Sequence, residues 1–139
     1  MTTQRLWLSR LLIGAVLFFN LQCALAFLAD PAAYMAGFGL SGAAGAGMIR
    51  GMGLLFVMWN VPYIFACLNP LKHRTSLIEA NIMQAIGLIG ETWILFSSDY
   101  QNPLITVSVM RFIVFDGGGL VLLLIAYFLT TKRGKKNRA

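Results

Sequence analysis

The sequence predicts an all-α fold, an integral membrane four-helix up-and-down bundle, and three observations carry that expectation. The chain is 58% hydrophobic and only 12% charged, against about 25% charged in soluble domains. It contains four apolar runs of about the twenty residues needed to span hydrocarbon. Its positive charge falls almost wholly on one side of the arrangement those runs define. A water-soluble domain of 139 residues has too much surface for its core to hide so much apolar side chain, so lipid must cover the remainder.

The first span is predicted over residues 6–29 and closes at Asp30-Pro31, where proline cannot extend a helix. The second covers 46–68 and closes at Asn69-Pro70. The third covers 77–97, and the stretch from Asp99 to Pro103 separates it from the fourth, at 105–130. A basic tail follows at 131–139, and the whole chain reads as a single domain. Residues 6–29 begin with basic charge and contain Ala24-Leu25-Ala26, which resembles a signal-peptide cleavage site. The apolar stretch is long for such a peptide, so a retained span is expected. The connection 31–45 is apolar and glycine-rich. Backbone without internal hydrogen bonds cannot face lipid, so it should lie at the interface or tuck between helices.

Orientation follows from charge. Arg5, Arg10, Lys72, Arg74 and the five basic tail residues, Lys132, Arg133, Lys135, Lys136 and Arg138, all fall on one side of four spans. The opposite loops, 30–45 and 98–104, contain no lysine or arginine and hold Asp30 and Asp99. The positive-inside rule then places both termini and the loop 71–76 in the cytoplasm, with the bacterial inner membrane as the expected location. Trp7 and Tyr127 fall near the inner interface, Trp93 and Tyr100 near the outer. Clustered beside apolar runs, these cations suit anionic lipid headgroups rather than a nucleic-acid groove, so membrane lipids are expected partners and nucleic acid is not.

Several kinds of chemistry are missing. Cys23 and Cys67 form no CxxC or zinc spacing and sit near opposite faces, too far apart to bridge. The one histidine, His73, is in a loop, which excludes bis-histidine haem and argues against a histidine metal site. No nucleophile accompanies a histidine base. Gly37, Gly39 and Gly42 spell GxGxxG without the strand that a dinucleotide site requires. No cofactor or metal is expected, and four spans leave little room for alternating access. Ala43, Gly47 and Gly51 recur every four residues and predict a helix-packing face. Gly117, Gly118 and Gly119 predict a second contact surface beside Asp116.

Chemistry is left to ionisable groups within the spans, where they are costly and usually paired or functional. Arg50 lies about 6 Å from the outer end of its span, Glu91 and Arg111 about 9 Å, and Asp116 about 16 Å. Two cations and two anions in the outer half sum to zero, as a paired network requires. Ala80, Gln84, Gly87 and Glu91 form a small-and-polar stripe that should face the bundle. Arg111 and Asp116 are roughly 140° apart on a helix, so each should look to neighbours, with Glu91 the best partner for Arg50 or Arg111. Asn60 and Gln84 share a depth of about 20 Å and form a candidate second layer, and Pro62 should open the helix locally. Glu79 is expected to pair with Lys72, His73 or Arg74 at the inner face. The candidate ligand site is thus Arg50, Asn60, Gln84, Glu91, Arg111 and Asp116.

An arginine opening the second span (Gly47-Met48-Ile49-Arg50-Gly51-Met52-Gly53), a glycine-bearing external linker and Gly90-Glu91 late in the third resemble the DoxX-like group of small bacterial membrane proteins. The resemblance covers the chain in topology but only these residues in motif. It implies a four-helix membrane bundle, in a wider superfamily thought to include sterol isomerases and sterol-binding proteins that use carboxylates in a membrane-open pocket. Some members are named for quinol oxidation or sulfur metabolism. The lack of an intramembrane histidine departs from the isomerase pattern. Two functions are therefore expected. The first is a non-enzymatic accessory or scaffold subunit, or a passive binder of a lipophilic ligand or quinone, working with a partner membrane subunit or as a homo-oligomer. The alternative is a membrane enzyme or redox component acting on a lipid, sterol-like or quinone substrate through Glu91 and Asp116.

Overall fold

Proline, glycine and asparagine set the boundaries of the helices. The computed structural model describes residues 3–131 and is all-helical, with no strand among the described residues. Helix α1 (Thr3–Ala29) stops before Asp30-Pro31, and the Asp30 carboxylate accepts the Ala33 amide at 3.4 Å to start the short α2 (Ala32–Met35). A 3-10 turn, Ala36–Phe38, ends at Gly39 in a left-handed conformation (φ 67°), which costs glycine nothing. Then come α3 (Gly42–Trp59) and α4 (Val61–Leu68), separated at Asn60. The Asn69 side chain accepts the Leu71 and Lys72 amides, both at 3.1 Å, and turns the chain into α5 (Arg74–Ser97). Pro103, preset for a first helical turn, opens α6 (Pro103–Thr131). The tail residues Lys132, Arg133, Lys135, Lys136 and Arg138 lie outside the described residues.

Three segments are long and apolar enough to cross a membrane: Thr3–Ala29, Gly42–Leu68 and Pro103–Thr131. Helix α5 has 24 residues but is more polar, carrying Glu79, Asn81, Gln84, Glu91 and Thr92. As predicted, Pro62 interrupts the second segment. A proline has no amide proton, so the ladder loses a bond there, at the junction of α3 and α4.

Helix α1 packs on α3, α4 and α6, while α5 packs on α4 and α6. Residues near Thr3, Leu68, Arg74 and Thr131 mark one end of the bundle, which we call the terminal end. The far end carries Asp30 and Asp99. At the terminal end α4 lies against both α1 and α5. Toward the far end α3 stays on α1 but hardly touches α5 or α6, and the 3-10 turn packs on α6 in its place. The connection 31–45 therefore does tuck against helices, as its composition required.

The core is layered. Near the terminal end, Ile13, Val16, Ala66, Leu77, Leu123 and Ala126 form a buried apolar layer. Reciprocal bonds fasten it: Arg10 Nε donates to the Cys67 carbonyl (3.0 Å), Cys67 Sγ to the Arg10 carbonyl (3.6 Å), and Ser9 Oγ to the Ala126 carbonyl (3.1 Å). Both cysteines are free, as expected. At the far end Phe27 is fully buried among Tyr34, Phe38, Phe56 and Phe112, with ring centroids 4.8–6.4 Å from its own.

The packing face of α3 differs from the one expected. Ala43, Gly47 and Gly51 are exposed, and a Cβ on Gly47 or Gly51 would meet nothing within 4 Å. The buried stripe is Gly45, Ile49 and Gly53, where a Cβ on Gly53 would come 2.8 Å from the Ala24 carbonyl oxygen. Both stripes repeat every four residues, so spacing alone does not choose between them. Phe56 and Phe27 decide by taking α3 and α1 into contact on the Gly53 side.

Gly53→Ala should therefore lower unfolding stability by about 1–3 kcal/mol, the usual cost of overpacking. Gly47→Ala should leave it unchanged or raise it slightly. Thermal unfolding of both variants in lipid nanodiscs decides which stripe packs, and equal effects would remove the assignment.

Candidate functional site

Between the apolar and aromatic layers lies a polar one, to which every long segment contributes. Gln84 of α5 is its centre and is 3% exposed. Its Nε2 donates to Asp116 Oδ1 of α6 at 2.8 Å, and its Oε1 accepts the Tyr63 hydroxyl of α4 at 2.7 Å. The same hydroxyl lies 3.1 Å from the Ala80 carbonyl, and Asn20 approaches it from α1. These contacts thread α1, α4, α5 and α6 through one set of hydrogen bonds.

Glycines make the approach possible. A Cβ on Gly119 would fall 2.7 Å from Gln84 Nε2, and a Cβ on Gly87 would collide with Asp116 Oδ2. Each helix thus presents a glycine to the other's polar side chain: Gln84 and Gly87 on α5 face Gly119 and Asp116 on antiparallel α6. Of the three adjacent glycines on α6, Gly119 is the buried contact expected of that patch. Gly118 instead borders a shallow apolar groove of about 300 Å³ beside Val16, Phe19 and Phe115.

Asn60 belongs to the same layer. Helices α3 and α6 run parallel, and Phe56 and Phe112 meet at 6.3 Å. One turn further along each helix come Asn60 and Asp116, which therefore stand at the same level. Asn60 is 2% exposed. Its Nδ2 donates to the Phe56 carbonyl, 2.6 Å away, but its Oδ1 is buried with no partner. Glu91 lies one turn toward the far end from Gly87, at the level of Phe112, and feels the charge of Asp116. Its Oε2 is also buried without a partner. A third acceptor, Asn81 Oδ1 on α5, is likewise buried without a partner, and buried polar atoms are nearly always bonded, so these orphans require a physical cause.

The expected charge network is not formed. Arg50 and Arg111 are exposed on α3 and α6, and among the described residues no lysine or arginine nitrogen comes within 4.0 Å of a carboxylate oxygen. Arg50 is held away from Glu91 because α3 leaves α5 at this end, and Arg111 lies on the outer side of α6, well around the axis from Asp116. Glu79 also has no cationic partner among the described residues. Five residues separate it from Arg74, which puts it on another face, and Arg74 instead bonds Tyr127 Oη (3.1 Å) and Thr131 Oγ1 (3.3 Å). So of the six candidates, the fold gathers Asn60, Gln84, Glu91 and Asp116 and turns both arginines outward. Sequence reasoning passed over Asn20 and Tyr63. The available signals were a lone amide within an apolar run and a tyrosine three residues after Asn60, on the same helical face.

Taken together, these features describe an all-helical chain with three helices suited to crossing a membrane and a buried layer of amide, phenol and carboxyl groups. No family model matches it, and comparison with curated proteins and with solved structures finds no match.

Gln84→Leu removes the Asp116 bond and one acceptor of Tyr63, and should cost about 1–3 kcal/mol, as for a buried polar group left unpaired. Adding Asp116→Leu should recover part of that loss, with a coupling of about 0.5–3 kcal/mol in a double-mutant cycle. Strict additivity would mean that the two side chains do not act together.

Proposed function

We propose that this chain is a four-span integral membrane protein with cytoplasmic termini, which binds the polar head of a lipophilic ligand without altering it. Helix α5 is the span that needs support. Its 24 residues reach about 36 Å at 1.5 Å per residue, more than the hydrocarbon thickness. Several of its polar side chains are turned inward or bonded to its own backbone: Gln84 is in the layer, Asn81 Nδ2 donates to the Leu77 carbonyl, and Thr92 Oγ1 to the Leu88 carbonyl, while Glu79 is exposed near the terminal end. Ile82, Ile86, Ile89, Trp93 and Phe96 form the exposed face, which lipid suits and water does not. On this reading the terminal end is cytoplasmic and the splayed far end faces the outer leaflet.

One observation carries the ligand reading: within the polar layer and one turn beyond it, Asn60 Oδ1 and Glu91 Oε2 are buried acceptors with no partner. An unmade hydrogen bond in a low-dielectric interior costs free energy that a polar guest would return. Passive binding is preferred to catalysis because the layer holds no nucleophile–base pair. The DoxX-like group is proposed as its kin on the same layout.

Two experiments test this. In a chain with both native cysteines replaced by alanine, Thr75→Cys should react with an impermeant maleimide only from the cytoplasm and Gln101→Cys only from outside. Labelling from one common side would mean that α5 does not cross. Mass spectrometry of the chain extracted in native lipid should find one amphiphile retained in stoichiometric amount and lost on Glu91→Gln. A stoichiometric protein partner with no retained amphiphile would instead indicate an accessory subunit.

A further inference from the structure

The terminal end gathers hydrogen-bond donors that have no acceptor. Arg10 is half-buried there, while every other lysine and arginine among the described residues is exposed. Two contacts fix its guanidinium. Nε donates to the Cys67 carbonyl at 3.0 Å, in the last turn of α4, where carbonyls lack an intrahelical donor. The group also lies over the Trp7 ring, 4.5 Å from its centre, and the face of an indole attracts a cation. A guanidinium carries five N–H donors, and Nε accounts for one. The donors on Nη1 and Nη2, and the Trp7 indole N–H, find no acceptor within 3.5 Å among the described residues.

Charge at this end is equally one-sided. Arg5, Arg10, Lys72 and Arg74 stand there with one acid, Glu79, and no carboxylate oxygen comes within 4.0 Å of their nitrogens among the described residues. Arg10 differs from Arg5 and Lys72 in being positioned in advance, so an anion that meets it need not order a long side chain. An apolar track leads away from it. Trp7, Leu11 and Phe18 lie within about 40° of one another around α1 and are 55%, 67% and 63% exposed. The 27 residues of α1 reach about 40 Å, against roughly 30 Å of hydrocarbon. About one turn at each end therefore stands among headgroups, and Trp7, about 6 Å from the start of the helix, is at that level.

We propose that Arg10 and Trp7 form a binding site for an anionic phospholipid. The Nη donors and the indole N–H receive the phosphodiester oxygens, which the planar guanidinium fits two at a time, and an acyl chain lies along Leu11 and Phe18. This rests on α1 crossing a membrane. It does not rest on a ligand in the polar layer, from which the apolar layer of Ile13 and Val16 divides it. A free anion would satisfy the donors but leave the track bare. A neutral amphiphile would cover the track but leave the charge. Phosphatidylcholine has the phosphate but brings a trimethylammonium to an end already rich in cations.

The test is native mass spectrometry of the full chain released from nanodiscs of phosphatidylglycerol and phosphatidylcholine with matched acyl chains. One phosphatidylglycerol per chain should be retained, with a Kd at least about tenfold below that of phosphatidylcholine, the factor for one hydrogen bond to a charged group. Arg10→Ala should abolish the preference. Trp7→Phe keeps the ring without its N–H and should weaken binding about threefold. Arg5→Ala and Lys72→Ala should change it little, and excess inorganic phosphate should not displace the lipid. Glu91→Gln should leave it bound, which separates this lipid from a ligand of the polar layer. Should Arg10→Ala unfold for want of its bond to Cys67, the two-lipid comparison and Trp7→Phe decide. Equal retention of the two lipids, no effect of Trp7→Phe, displacement by inorganic phosphate, or a loss on Arg5→Ala or Lys72→Ala as large as on Arg10→Ala would overturn the site.

Discussion

The bond from Gln84 to Asp116 is the interaction on which the rest of the bundle depends. A carboxyl in an apolar interior is tolerable only with a hydrogen-bonded partner, and this one is supplied from a neighbouring helix. That partner can reach it only if the two backbones come close, which Gly87 and Gly119 allow. Close approach of α5 and α6 in turn sets Leu77, Ala80, Leu123 and Ala126 facing each other beneath. The Tyr63 hydroxyl then joins Gln84 and carries the same network into α4. Removing any one of these small or polar residues from the chain of contacts would leave the next without its reason for being there.

The chain resolves a conflict between two demands on a helix that carries both polar and apolar residues. In the proposed four-span bundle, polar side chains must be inside, where they find partners, and apolar ones outside, where they meet hydrocarbon. Helix α5 shows the compromise. Its inner face holds Gln84 and Glu91 against Gly119 and Asp116, while isoleucines and aromatics cover its outer face. Hydropathy averaged over the whole helix hides this division, and so α5 is the least apolar of the long helices while presenting an apolar surface.

Much of this was legible from the sequence. The all-helical class, the approximate bounds of the long segments and the interruption near Pro62 followed from apolar run length and from punctuation by proline, glycine and asparagine, whereas the short helix and 3-10 turn within 31–45 did not. The inward stripe of Ala80, Gln84, Gly87 and Glu91 followed from helical spacing. What spacing could not supply was the rotation of one helix against another. Gly47 and Gly51 share the period of Gly45 and Gly53, and only contact with α1 selects between them. For the same reason Arg50 and Arg111 matched Glu91 in depth yet not in direction. Charge balance counts ions but does not aim them. Tyr63 was missed because a hydroxyl is easily overlooked in a search for formal charge, although a phenol and an amide suffice to anchor an acid.

The break at Asn60 has a mechanical consequence. It divides one segment into halves with different loyalties: α4 is locked to its neighbours by the exchange between Arg10 and Cys67, while α3 rides on α1 with the Ala36–Phe38 turn wedged behind it. One half is held by side-chain bonds and the other by apolar and aromatic packing, so the two ends of the bundle resist separation by different means.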